Sequence, residues 1–460
     1  MLKQKFLNIQ AQIFTDAVEI DNVNCNIHLP NKLTDRIKVD VFLTKEQVDK
    51  FGLPWKFSLK GNINNKKIIA NNVYSHKLDE LKVLKADTTD LKIIEDISQY
   101  ENYKPEGING YFLLTPNNIL RPHAHQMSGI GGFHIEPTSR YSFVLKNKLT
   151  VMFDYFYFSE NENNNTTINP ELIARFLSEE VIDIENDYIN LFDDLLLILS
   201  FITRQRTACL GWSYLDKTKK VTYYRRNISI PEERDVDFDE ILLIPEKSEE
   251  YGQRLFNRLC ELDSISKNLI KQAIQYCAFS INETIETEFI FLFATLETIK
   301  NFYTKLNPDL EKILQNTQFK KFKKEAMNWL NSYTQIDDND KELICEKFLE
   351  LNRPSFGKVF DSLCSYYSID LHDLWPIADK TVGQSILGIR NRLVHGEYLN
   401  ENESYAIGTA KYHLRCSIER IILTILGCPI SETALSSRSL AHRPFYNQTE
   451  WHNDRKILTK

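Results

Sequence analysis

The chain has 460 residues, and at roughly 100–200 residues per domain that length calls for two to four domains. Its content of 42% hydrophobic, 26% charged and 12% aromatic residues excludes a disordered or fibrous chain. With 56 Lys and Arg against 63 Asp and Glu the net charge is −7, so no whole-chain basic field recruits nucleic acid and any such contact needs a local patch.

In chain order, the start from Met1 to Asn8 lacks the apolar stretch of a secretion signal. Residues 1 to about 158 read as strands. Ile37, Val39, Val41 and Leu43 alternate with other residues, and 57–63 with 67–70 predicts a hairpin around Asn64-Asn65. Residues 141–158 are rich in aromatic and branched side chains and run into a polar loop at 159–167. The expectation is an antiparallel sandwich or half-barrel. From Pro170 the spacing becomes helical: Leu172, Ile173, Phe176 and Leu177, then Ile189, Leu191, Leu195, Leu196 and Ile198, predict one or two helices at about 170–205 packed on that sheet. A last strand at 220–226 completes an N-terminal unit of residues 1–230.

Residues 231–240 are mostly acidic, and 231–248 reads as a linker between regions of different period. From 249 to 427 apolar residues recur three and four apart, with turns at Asn307-Pro308 and at Asp337 to Asp340 and a stop at Gly427-Cys428-Pro429, which predicts an all-α bundle. Residues 428–460 have no such period and read as an extended tail. The fold class is α+β. The most apolar run, Leu195 to Ile202, is too short to cross a bilayer. Eight cysteines with no CxxC pair predict reduced thiols and a cytoplasmic location.

Chemistry concentrates in residues 386–396. Arg390, Asn391 and His395 interrupt an apolar helix pattern at its end, with Gly396 as the expected left-handed stop. Asn391 and His395 share a face, whereas Arg390 lies about 140° round from His395 at ~100° per residue. A guanidinium offers fixed donors to phosphate oxygens, and an imidazole, titrating near pH ~6.5, passes protons at neutrality. The set suits phosphodiester cleavage. With the RNA 2′-hydroxyl as nucleophile no metal-activated water is needed, and the products are a 2′,3′-cyclic phosphate and a 5′-hydroxyl.

Arg390-Asn391-x-x-x-His395 resembles the R-x4-6-H motif of the HEPN superfamily, and the segment around Leu296-Glu297 resembles the early HEPN helix whose Leu-Glu pair faces the motif helix. A β-rich region before such a bundle is similar to the ApeA-like anti-phage defence branch. The resemblance rests on motifs over 249–427 and on order and size alone before that. It implies a metal-independent endoribonuclease, with no cofactor, that acts on tRNA or other cellular RNA in abortive infection. It also implies a composite site between two protomers, a homodimer through the bundle or a higher oligomer. Arg390 is then the phosphate binder, His395 the proton-transfer residue, Asn391 the orienting group and Glu297 a supporting carboxylate. The N-terminal unit would meet a phage-derived trigger.

Lys320, Lys321, Lys323 and Lys324, interleaved with Phe319 and Phe322, are the clearest candidates for RNA-backbone contact, extended by Lys411 and Arg415. The same run fits a solvated helix face with both phenylalanines turned inward. His123, His125 and His134 fit either loop histidines or a metal site, and no HExxH or paired-cysteine set favours the metal. Gly129, Gly131 and Gly132 do not form GxGxxG, and neither GxxxxGK nor GxSxG occurs, which excludes those nucleotide and hydrolase signatures. The competing class is a catalytically silent bundle used for dimerisation, whose N-terminal unit recognises a ligand or protein.

Overall fold

The computed structural model describes residues 6–29, 36–98, 107–117, 119–120, 124–129, 132–137, 141–146, 149–162, 165–180, 182–225, 241–243, 247–279, 284–348, 350–379, 384–397, 399–443, 445–446 and 448–458. The chain forms two compact units, Met1–Ile241 with Pro245–Gln253, and Leu242–Ile244 with Arg254–Lys460. The acidic stretch 231–240 lies outside the described residues. The fold is α+β, a β-rich unit followed by a helical one.

The first unit opens with β1 (Phe6–Phe14), β2 (Glu19–His28), β3 (Ile37–Phe42), the short helix α1 (Lys45–Phe51), β4 (Lys56–Ile63), β5 (Lys66–Leu78) and β6 (Val83–Thr88). Every neighbouring pair is antiparallel, and the order β1-β2-β3-β6-β5-β4 returns to β1, so the six strands close a barrel. Closure removes the open edges that would otherwise template aggregation. Alternation fills the interior: Ile37, Val39 and Val41 are wholly buried while Phe42 stays 40% exposed. The β4–β5 hairpin turns at Asn64, which takes φ 54°, a region asparagine tolerates better than most residues. At Gly61 a Cβ would stand 2.9 Å from the Gln10 carbonyl, so glycine permits β4 to approach β1.

Strand β5 is shared. Its second half, from Val73, pairs with β6 to close the barrel, while its first half, Lys66 to Ile69, pairs with β7 (Asp90–Asp96). From β7 a second sheet continues through β15 (Lys219–Arg225), β14 (Cys209–Leu215), β8 (Ile108–Leu114), β13 (Asn165–Ser178), β12 (Leu149–Glu162) and β11 (Ser142–Leu145). Helix α2 (Ile189–Thr203) packs on it, with Phe192 stacked 3.9 Å from Phe112 of β8. Burial of Asp194 through Thr203 explains why this helix has so little polar surface. β9 (Ala124–Gly129) and β10 (Gly132–Pro137) form a separate hairpin.

Two expectations for this unit are corrected. Residues 159–167 are not simply a polar loop, because the β12–β13 ladder runs from Thr150 opposite Leu177 to Glu162 opposite Asn165. Residues 170–178 are therefore strand, not helix. Leu172, Ile173 and Ala174 are buried in succession, and beyond them Phe176 is buried while Leu177 is exposed, so a doubly covered start and an outward-facing leucine make the adjacent apolar pairs that mimic helical spacing.

Helices follow: α3 (Ser248–Glu261), α4 (Ser264–Phe279), α5 (Ile285–Leu306), α6 (Asn316–Ser332), α7 (Asp338–Lys347), α8 (Phe356–Tyr367), α9 (Ile386–Val394), α10 (Glu401–Ile425), α11 (Ser437–Leu440) and α12 (Gln448–Ile457). The centre is the packing of α5 against α4 and α10. Leu292, Leu296 and Ile299 of α5, with Ala410, Leu414 and Ile418 of α10, are essentially inaccessible.

The extended tail is also corrected. Residues 428–460 fold back as α11 and α12, and α12 packs on α10 with Trp451 and Leu458 buried. His413 of α10 holds this return: its Nδ1 accepts from the Trp375 amide at 3.1 Å, and its Nε2 donates to the Phe445 carbonyl at 2.7 Å. The segment showed no period because its anchors are few and widely spaced in a polar sequence.

Candidate functional site

Helix α9 begins at Ser385, whose hydroxyl accepts the Gly388 amide at 3.2 Å. It ends in a Schellman motif: the Glu397 amide donates to the Arg392 carbonyl at 3.1 Å, the Gly396 amide donates to Leu393 at 3.2 Å, and Gly396 takes φ 69°. Ile386 and Ile389 anchor the helix in the core. Arg390, Asn391 and His395 are thereby displayed along its open side.

Three of the four proposed catalytic residues are in direct contact. Arg390 Nη2 lies 3.5 Å from Glu297 Oε1, and Arg390 Nη1 donates to Asn391 Oδ1 at 3.2 Å. The guanidinium also sits over the Phe293 ring, 5.4 Å from its centroid. Phe293 and Glu297 are one turn apart on α5, so that helix presents a ring and a carboxylate together to one arginine. Leu296 is buried, in keeping with a Leu-Glu pair of which one member packs and the other reaches the motif helix. His395 occupies the cap position of α9 and is exposed; among the described residues its ring has no hydrogen-bond partner.

No motif singles out Arg392, and the structure shows what it does. Its Nε donates to Glu397 at 2.7 Å, its Nη2 to Glu403 at 2.8 Å, and its Nη1 to the Leu458 carbonyl at 3.3 Å. Glu403 also closes a capping box with Asn400 at the start of α10. The Arg392 guanidinium and the Asn400 amide hold the Glu403 carboxyl below its ordinary range. Arg392 thus ties α9, α10 and the chain end into one frame, and the signal for it was the Asn400-x-x-Glu403 box four residues beyond Gly396.

The lysines proposed for RNA contact separate into two groups. Lys320, Lys321 and Lys324 of α6 are exposed and Lys323 is half-buried, and among the described residues none of the four pairs with a carboxylate. Phe319 turns inward as expected, whereas Phe322 stays 44% exposed. Lys411 and Arg415 are corrected. Arg415 is buried and Lys411 half-buried against Glu288, Lys411 Nζ at 2.7 Å from Oε2 and Arg415 Nη2 at 2.7 Å from Oε1, and Arg415 also donates to the Cys277 carbonyl. A buried carboxylate must be paired, and these two cations serve that need instead of meeting RNA.

His123 lies outside the described residues. The β9–β10 register sets His125 opposite Glu136 and His134 opposite Met127. Among the described residues no group of three or more His, Cys, Asp or Glu is arranged to hold a metal ion. None of the eight cysteines forms a disulfide, and burial pushes the Cys25 thiol up to about 12 and that of Cys428 up to about 11, which keeps them protonated. Among the described residues no helix is long and apolar enough to cross a membrane. Compared with protein-family models, curated proteins and solved structures, the chain finds no match in any of the three.

Proposed function

We propose that the helical unit is a metal-independent endoribonuclease centred on Arg390, Asn391 and His395. The observation that carries this reading is the unequal use of two arginines on one short helix: Arg392 is held by three protein acceptors, two of them carboxylates, while Arg390 has one long ionic contact and one intra-helical bond. An arginine with unused donors on the same short helix as a histidine whose ring has no partner among the described residues supplies the two groups that binding and cleaving a phosphodiester requires.

In this mechanism Arg390 grips the scissile phosphate, Asn391 holds the guanidinium or a phosphate oxygen, and Glu297 keeps Arg390 extended. His395 takes the 2′-hydroxyl proton or returns one to the departing 5′-oxygen. In-line displacement uses a base and an acid on opposite sides of phosphorus, and one chain brings a single histidine beside Arg390. A homodimer through this face supplies the second, and Val394, 54% exposed next to His395, gives it an apolar contact. The substrate is tRNA or another cellular RNA, the setting is cytoplasmic defence against phage, and the β-rich unit senses a phage-derived trigger.

Purified full-length protein incubated with total tRNA and excess chelator tests this reading. Fragments ending in 2′,3′-cyclic phosphate and 5′-hydroxyl, absent with His395→Ala, are expected. Equal cleavage by both proteins overturns the assignment. No cleavage, with dimers that dissociate on Val394→Glu, favours the catalytically silent docking protein, which the same exposed valine also fits.

A further inference from the structure

Helices α6 and α7 form a hairpin that lacks a core of its own. Among the described residues α6 and α7 touch each other only lightly, and neither packs more closely on any other helix. Helix α7 buries no residue at all, and α6 buries only Phe319 and Leu330. Yet α6 carries Phe319, Phe322, Ala326 and Trp329 at alternating spacings of three and four, which is a coiled-coil seam, and Tyr333 follows at its C-cap. Along it Phe322 is 44%, Trp329 63% and Tyr333 36% exposed, and Leu343 of α7 is 61% exposed. The base of the hairpin is clamped. Asn352 accepts the Leu314 amide at 2.7 Å and donates to the Leu314 carbonyl at 3.0 Å, and the Ile313 amide donates to the Asn352 carbonyl at 2.9 Å. The exposed seam is thus presented from a fixed base.

We infer that the α6–α7 hairpin is a self-association arm that pairs with the same hairpin of a second copy of this chain, forming an intermolecular four-helix bundle with Trp329 near its centre. Charge identifies the occupant. The first half of α6 carries Lys320, Lys321, Lys323 and Lys324, while the α6–α7 turn and the start of α7 carry Asp337, Asp338, Asp340 and Glu342 against one lysine, Lys341, which pairs with Asp338 at 3.2 Å, so the stretch stays acidic. In a two-fold, antiparallel approach each basic half meets the partner's acidic turn, so the surface complements itself. RNA on this face would gain from the lysines and be repelled by the turn. A buried tryptophan at the middle of a seam is also the kind of anchor on which such interfaces depend. This interface is separate from the motif face and does not rest on the ribonuclease reading.

The test is the mass of the full chain in solution by light scattering. At a concentration where the wild type associates, Trp329→Glu and Leu343→Glu should each halve the mass; both side chains are exposed, so melting temperature should hold. Raising salt from 50 to 500 mM, which shortens the Debye length from about 14 Å to about 4 Å, should weaken association at least tenfold. Reversing Lys320, Lys321 and Lys324 to Glu should dissociate the arms, and adding Asp337→Lys, Asp338→Lys and Asp340→Lys should restore them. A wild type that is monomeric, or a mass untouched by Trp329→Glu, overturns the inference. Unchanged mass with weakened RNA binding assigns the face to nucleic acid and overturns it equally.

Discussion

Arg390 and Glu297 stand 3.5 Å apart, the guanidinium 32% and the carboxylate 44% exposed, on helices far separated in the chain. A long, half-solvated pair of this kind contributes only about 0–1 kcal/mol to stability. Its effect is on geometry. The carboxylate and the Phe293 ring fix where the guanidinium points without using up its donors, so on the proposed reading a phosphate would meet a positioned cation with little protein contact to displace.

Because general acid–base catalysis by one group is worth ~10²–10⁴-fold, His395→Ala should lower the cleavage rate by about that factor. The ring is exposed and unpartnered among the described residues, so thermal melting should stay within a degree or two of wild type. Rates from single-turnover assays and a melt of the same preparation check both halves.

The two arginines of α9 should separate stability from activity. Arg390→Ala should abolish cleavage and cost less than about 1 kcal/mol. Arg392→Ala should cost about 1–3 kcal/mol, since it leaves the buried Glu403 carboxylate without its guanidinium and loosens the chain end. Urea unfolding of both variants beside the activity assay distinguishes them.

Glu288 neutralises the buried Arg415 and the half-buried Lys411, so Glu288→Ala should destabilise the helical unit by about 3–5 kcal/mol, the cost of stranding a buried charge. Lys411→Ala should likewise act on folding and leave the salt dependence of RNA binding unchanged. A shallower salt slope for Lys411→Ala would return that lysine to the RNA surface.

Burial pushes His413 down to about 4, below the ordinary value of ~6.5 that it regains on unfolding. Between these values the unfolded chain holds a proton that the folded chain does not. Stability from this residue is therefore complete above about pH 6.5 and declines by up to ~3 kcal/mol as pH falls toward 4. His413→Gln, though less stable at pH 7, should lose this limb. Denaturant midpoints from pH 7 to 4.5 for both proteins isolate it from the carboxylates and other histidines.

Legible in the chain's own letters were the α+β order, the alternation of Ile37, Val39 and Val41 that lines the barrel, the Asn64 hairpin, and a helix ending at Gly396 with Arg390 and His395 upon it. These are local: period, turn chemistry and caps act within a few residues, so they are written in neighbouring letters. Residues 170–178 misread because their start, Leu172 to Ala174, is covered on both faces and Leu177 turns an apolar side chain outward, which together hide the alternation that marks a strand. Which cations are spent is a matter of tertiary contact. Lys411 and Arg415 are consumed by Glu288, Arg392 by Glu403 and Glu397, and Arg390 is left half-used beside Glu297. A charge is available or spent according to what folds against it, and the partners of Lys411, Arg415 and Arg390 come from a distant helix whose approach no local pattern records.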